Sequence, residues 1–152
     1  AEKGLMLLPN NQELKKYLSD AKNYTANKMY DNATKLFNEK KYKEAINQYS
    51  KIQNKTKEVN MAIASCYWQM NDFENANKYY LEVLKSEPNN KDVLSNIAYA
   101  YYSMQDYNNA KATAQKILAL DKNNKQALEI MSNIADNELN NTLNEAIAEY
   151  EK

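Results

Sequence analysis

Residues with reactive side chains are few in this chain, and their spacing offers little chemistry. There is one cysteine, Cys66, and no histidine among 152 residues. A thiol becomes a nucleophile beside a cation or at a helix N-terminus, whereas Cys66 stands next to Tyr67 and one helical turn before Met70. A small buried hydrophobe is the expectation there. One cysteine excludes an intrachain disulfide, so the redox compartment stays open. The carboxylates Asp72, Glu74, Asp106 and Asp121 fall at turns and helix starts, where they cap backbone N–H groups and meet the positive end of the helix dipole. With no histidine, no cysteine pair, no Gly-rich loop and no serine-centred nucleophile motif, metal, phosphate and acyl chemistry have no recognisable seat. The expectation is a non-enzyme that needs no cofactor.

The elements that carry these residues are periodic. From Ala64, Tyr67, Met70, Asp72, Phe73, Ala76, Val83 and Asn89-Asn90, an offset of 34 residues reaches Ala98, Tyr101, Met104, Asp106, Tyr107, Ala110, Ile117 and Asn123-Asn124. An offset of 31 in the other direction pairs Ala64, Phe73, Ala76, Tyr80 and Val83 with Ala33, Tyr42, Ala45, Tyr49 and Ile52. A weaker copy follows, in which LNEAIAEY at 143–150 aligns with YKEAINQY at 42–49 through Glu145, Ala146, Ile147 and Tyr150. Such a period marks stacked helical hairpins.

Within one copy, Ile63, Ala64, Tyr67 and Met70 recur at helical spacing, and Ala76, Tyr80, Val83 and Leu84 do so again after a short joint. Asn71-Asp72 and Gln105-Asp106 supply the joints, since Asx residues tolerate a left-handed turn and cap the next helix. The only glycine is Gly4, so none serves these turns. Pro88 denies a helix its next backbone donor, and Asn89-Asn90 can cap the one that follows. Helices are expected near 26–39, 42–53, 57–70, 73–86, 91–104 and 107–120, with another from about 125 that either breaks at 137–141 or runs on through Leu128, Met131, Ala135, Leu139, Ala146 and Tyr150. Before them, Leu14, Tyr17, Leu18, Ala21 and Tyr24 stripe a lead-in helix, either separate from the helix of Met29 and Leu36 or continuous with it. The preceding AEKGLMLLP has too short an apolar run for a signal peptide and reads as either a processed or a truncated end.

Ala33, Ala64 and Ala98 on first helices, with Ala45, Ala76 and Ala110 on second helices, permit close backbone approach, and larger residues fill the spaces between. This combination resembles the tetratricopeptide repeat family, whose pattern has a small residue at the eighth place, an aromatic near the seventeenth, alanine at the twentieth, an aromatic near the twenty-fourth and proline at the thirty-second. Departures are Asn60 and Leu94 where the family often has Trp, Ala114 at the twenty-fourth place and Lys122 for the closing proline. The resemblance implies an all-α, right-handed superhelical solenoid of antiparallel helix pairs. Its parts would be a tail and lead-in helix at 1–25, repeats at 26–56, 57–90 and 91–124, and a degenerate fourth repeat or capping helix at 125–152.

The resemblance also implies that first helices line a ligand groove. The positions that match the family's ligand-facing places are Tyr30, Phe37, Glu58, Met61, Ser65, Trp68, Asp92, Asn96, Tyr99 and Tyr102, with Ser95 at the fifth place of the third repeat. Simple packing competes with binding at Phe37 and Tyr102; Trp68, the lone tryptophan, is the expected anchor. The wall is aromatic, and its acids, Glu58 and Asp92 with Asp31, Glu129 and Asp136, suit a peptide carrying apolar anchors and Lys or Arg. The family's clamp for acidic chaperone C-termini needs Lys, Asn, Asn, Lys and Arg at places that here hold Tyr30, Thr34, Ala62, Asp92 and Asn96. One repeat later they hold Met61, Ser65, Asn96, Gln126 and Ile130, where only Asn96 fits, so that mode is not expected.

Charge and hydropathy exclude other partners. Twenty lysines balance twenty acids and there is no arginine, so no net basic field gathers nucleic acid. No apolar run approaches the eighteen or so residues of a membrane span. The expected function is a protein-interaction module with a protein or peptide partner. The alternatives are a scaffold that self-associates through its end after residue 125, giving a homo-oligomer, and the docking part of a larger membrane-tethered or enzymatic assembly.

Overall fold

The computed structural model describes residues 12–151, so the AEKGLMLLP tail lies outside the described residues. Among the described residues seven α-helices follow one another: α1 Gln12–Asn38, α2 Tyr42–Ser50, α3 Lys57–Gln69, α4 Phe73–Ser86, α5 Lys91–Ser103, α6 Tyr107–Leu120 and α7 Lys125–Tyr150. No strand occurs among the described residues. The fold is all-α and is built from helical hairpins. It divides into two compact units, residues 1–70 and 71–152.

Local signals set most helix ends. Asp72, Asn90, Asp106 and Asn124 each accept a side-chain hydrogen bond from the backbone N–H three residues on, that of Asn75, Val93, Asn109 and Ala127 respectively. Each cap satisfies a donor that the first turn leaves without an intrahelical partner. The left-handed turns fall at Lys40, Asn71 and Gln105, with φ of 60°, 57° and 60°. Around Lys40 the N–H of Lys40 donates to Phe37 O and that of Lys41 to Leu36 O; around Gln105 the same pair runs to Tyr102 O and Tyr101 O. This is a Schellman closure, made here without the usual glycine.

One long helix and one short one depart from the expected spans. The lead-in helix and the first helix of the first repeat are one element, α1, with no interruption at 25/26. Of the two courses expected after residue 125, α7 takes the continuous one, unbroken through 137–141. At the other extreme α2 ends at Ser50, and the chain closes through turns in which Lys51 N–H donates to Gln48 O and Ile52 N–H to Tyr49 O. Ile52 is nevertheless buried, so the apolar period there outlasts the helix.

In the first unit α1 packs on α2, α2 on α3, and α1 also touches α3. Ala33, Ala45, Tyr49, Ile52, Val59, Ile63, Ala64 and Cys66 are buried there. In the second unit α4 packs on α5, α5 on α6, and α7 on both α5 and α6. Its core joins Leu94, Ala98, Ala110, Ala114, Ile117, Ala127, Ile130 and Ile134. Ala33, Ala45, Ala64, Ala76, Ala98 and Ala110 are all fully buried. Each buried Ile or Leu contributes roughly 1.5–3 kcal/mol of transfer free energy, which the small alanines make attainable by letting the helices close up.

Candidate peptide-binding faces

In the first unit, Tyr30 of α1 is half-buried and sets its ring edge-on to Tyr49 of α2, centroids 5.2 Å apart at 62°. Burial raises the Tyr30 pKa, and the nearby carboxylates of Glu58 and Asp31 push it the same way, so the phenol stays neutral and keeps its O–H. Near the end of α1, Phe37 lies edge-on to Tyr42, centroids 5.4 Å apart. On α3, Met61, Ser65 and Trp68 are half-buried at helical spacing on one face, while Val59, Ile63, Ala64 and Cys66 of the same helix are buried. Glu58 is exposed at the start of α3.

Tyr30 and Glu58 meet in the lining of a cleft of about 970 Å³. Leu18, Ala21 and Met29 of α1, Ile52 of the connecting loop and Val59 of α3 form its apolar floor. Phe37, Met61, Ser65 and Trp68 lie outside that lining.

In the second unit the expected residues share α5. Asp92 is exposed and Asn96 half-buried. Tyr99 is 50% exposed and meets Phe73 of α4 edge-on, centroids 6.3 Å apart at 69°. Tyr102 leans on Tyr107 of α6 at 5.8 Å and also packs against the core cluster. The Tyr102–Tyr107 contact repeats Phe37–Tyr42 at the same places of the repeat, so both rings spend part of their surface closing their own hairpin.

Cys66 is fully buried, and desolvation pushes its thiol from the ordinary 9.0 up to about 11. That disfavours the thiolate on which reactivity depends. Among the described residues, no group of three histidines, cysteines or acids could hold a metal ion.

Two further features bear on function, the first without any sequence signal. Asn77 of α4 is buried with neither side-chain amide atom hydrogen-bonded. On α7 every residue from Glu138 onward is exposed, including Leu139, Leu143 and Ile147 at 68%, 55% and 46%. The helical stripe and an open end after residue 125 were legible; the extent of the exposure among the described residues was not.

The profile of the tetratricopeptide repeat family matches residues 67–134. That segment is similar to tetratricopeptide repeats. Solved tetratricopeptide structures carry the likeness further along the chain. The second such domain of human RPAP3, in complex with the HSP70 peptide SGPTIEEVD, shares 22% identity at a TM-score of 0.63, covering 75% of this chain and 98% of that one. The Hsp90 co-chaperone Cns1 of Saccharomyces cerevisiae shares 20% at 0.70, covering 86% of this chain and 44% of that one. Yeast Tom70 shares 20% at 0.71, covering 82% of this chain and 26% of that one. At such identities the likeness is one of fold, and the chain spans less than half the length of the last two. Comparison with curated protein sequences gave no match. Among the described residues no helix is long and apolar enough to cross a membrane.

Proposed function

We propose that the chain is a non-enzymatic protein-interaction module whose first-helix faces bind a peptide segment. One observation carries the reading: the large side chains at the family's ligand-facing positions, Tyr30, Phe37, Met61, Trp68, Tyr99 and Tyr102, all keep some exposure, although Ser95 at such a position is buried and α3 and α5 otherwise hold most of their large aliphatic side chains in the core. An aromatic left half-exposed beside a packed helix offers a large, rigid contact area at small entropic cost. Trp68, with Met61 and Ser65, serves this role on the first unit; Tyr99, with Asp92 and Asn96, serves it on the second.

The chemistry favours a peptide with apolar anchors and Lys or Arg over an acidic C-terminus. Glu58 and Asp92 are exposed carboxylates at the starts of α3 and α5. The RPAP3 relative binds an HSP70 peptide ending in EEVD, but the clamp places here hold Tyr30, Thr34, Ala62, Asp92 and Asn96. The Thr34 hydroxyl is moreover engaged, 2.9 Å from the Tyr49 hydroxyl and 3.0 Å from the Tyr30 carbonyl oxygen.

Selection from a random-peptide display library tests the proposal. Enriched peptides should combine aromatic or aliphatic anchors with Lys or Arg. Trp68→Ala should weaken them by about 2 kcal/mol or more while helical content stays near wild type. Asp92→Lys should mainly slow association and flatten its salt dependence. Unaltered binding by Trp68→Ala would remove the groove assignment.

A further inference from the structure

Charge is distributed very unevenly along a chain whose sum is zero. Residues 12–56 hold ten lysines against five acids, whereas residues 126–151 hold six acids and no lysine. Four of those acids, Glu138, Glu145, Glu149 and Glu151, lie in the exposed part of the chain from residue 138, where Leu139, Leu143, Ala146, Ile147 and Tyr150 form one apolar stripe. Glu138, Glu145 and Glu149 flank that stripe along one side at helical spacing. The basic end contains the cleft of the first unit, whose apolar floor is bordered by Lys22 and Lys51, with Glu58 as the one acid in its lining.

The two surfaces match in length as well as in character. From Leu139 to Tyr150 the helix rises about 17 Å, and from Leu18 to Tyr30 the α1 wall of the cleft extends about 18 Å. An apolar helix face and an apolar cleft, each left open to water, gain by mutual burial, and opposite charge at their margins fixes orientation. We propose that the acidic end of α7 from one copy docks in the α1–α3 cleft of a second copy, giving a heterologous head-to-tail assembly. Because the two contacting surfaces differ, each added copy exposes a fresh pair, and growth continues unless the rotation closes a ring.

The test uses the full chain in sedimentation velocity across a wide concentration range at low salt. Wild type should rise from 17.6 kDa through its multiples, and added salt should reverse the rise. Leu143→Glu removes the helix face, and the double variant Ala21→Glu, Lys51→Glu removes the cleft; all three positions are exposed, and circular dichroism melts check that folding is kept. Each variant alone should stay monomeric, and an equimolar mixture should form a dimer that grows no further. A wild type that is monomeric throughout, a cleft variant that assembles like wild type through α7 pairing with itself, or a mixture that stays monomeric would each overturn the proposal. The cleft shares Tyr30 and Glu58 with the expected peptide positions but not Met61, Ser65 or Trp68, so peptide binding is judged separately through Trp68→Ala.

Discussion

The hydroxyl of Tyr49 lies 2.9 Å from Oγ1 of Thr34, a hydrogen bond that ties α2 to α1 at the edge of the first unit's core. Thr34 Oγ1 spends its own hydrogen on the Tyr30 carbonyl oxygen at 3.0 Å, so the Tyr49 O–H is the donor of the pair. The Tyr49 ring is only 2% exposed and also receives the edge of Tyr30. One phenol thus closes the first hairpin by packing and by hydrogen bonding together. Tyr49→Phe keeps the ring and loses the bond; it should cost about 1 kcal/mol in a denaturant titration, with the slope unchanged. A loss well above that would mean the ring itself had shifted.

At the α5–α6 turn Gln105 holds a φ of 60°, and at the α1–α2 turn Lys40 does the same. A side chain at this φ crowds the following carbonyl oxygen, a strain glycine escapes, while glycine loses more conformational entropy on folding. Gln105→Gly and Lys40→Gly should each stabilise the chain by up to about 1 kcal/mol, read as a higher thermal midpoint. Destabilisation by both would show that their side chains make contacts outweighing the backbone strain.

Ala98 of α5 is fully buried in one cluster with Ala110 and Ala114 of α6. Ala98→Leu adds a branched side chain where the two helices meet and should cost about 1–3 kcal/mol through displaced helices. An unchanged melt would show slack in this core.

Cys66 gives the chain a pH dependence with a definite sign. Its folded-state pKa, about 11, exceeds the ordinary value of 9.0, so the unfolded chain releases the thiol proton first. The associated stability is fully present below pH 9 and is lost as pH rises through 11. Cys66→Ser or Cys66→Ala should flatten the alkaline decline attributable to this group, and native wild type should react with a thiol reagent only at the rate of opening. Rapid stoichiometric labelling at pH 8 would contradict the burial.

Local patterns determined much of this protein. Caps at Asp72, Asn90, Asp106 and Asn124 and turns at Asn71 and Gln105 lie within a few residues of the helix ends they set, so α3 to α6 could be placed from sequence within about one residue. The alanines at repeating places announced the close approaches because no larger residue fits there. Only tertiary structure decided the rest. No breaker stands at residue 25 or at 137–141, so whether the chain runs straight depends on what its faces pack against, and α1 and α7 emerged as single long helices. Aromatic identity alone could not tell a ligand contact from a hairpin closure. Phe37 and Tyr102 became partners of Tyr42 and Tyr107, while Tyr99 stayed half in water, because a side chain's exposure is fixed by the neighbouring helix and not by its own. The stripe of Leu139, Leu143 and Ile147 has the spacing of a buried face and lies open for the same reason: helical period specifies which side chains share a face, and only a second element covers it.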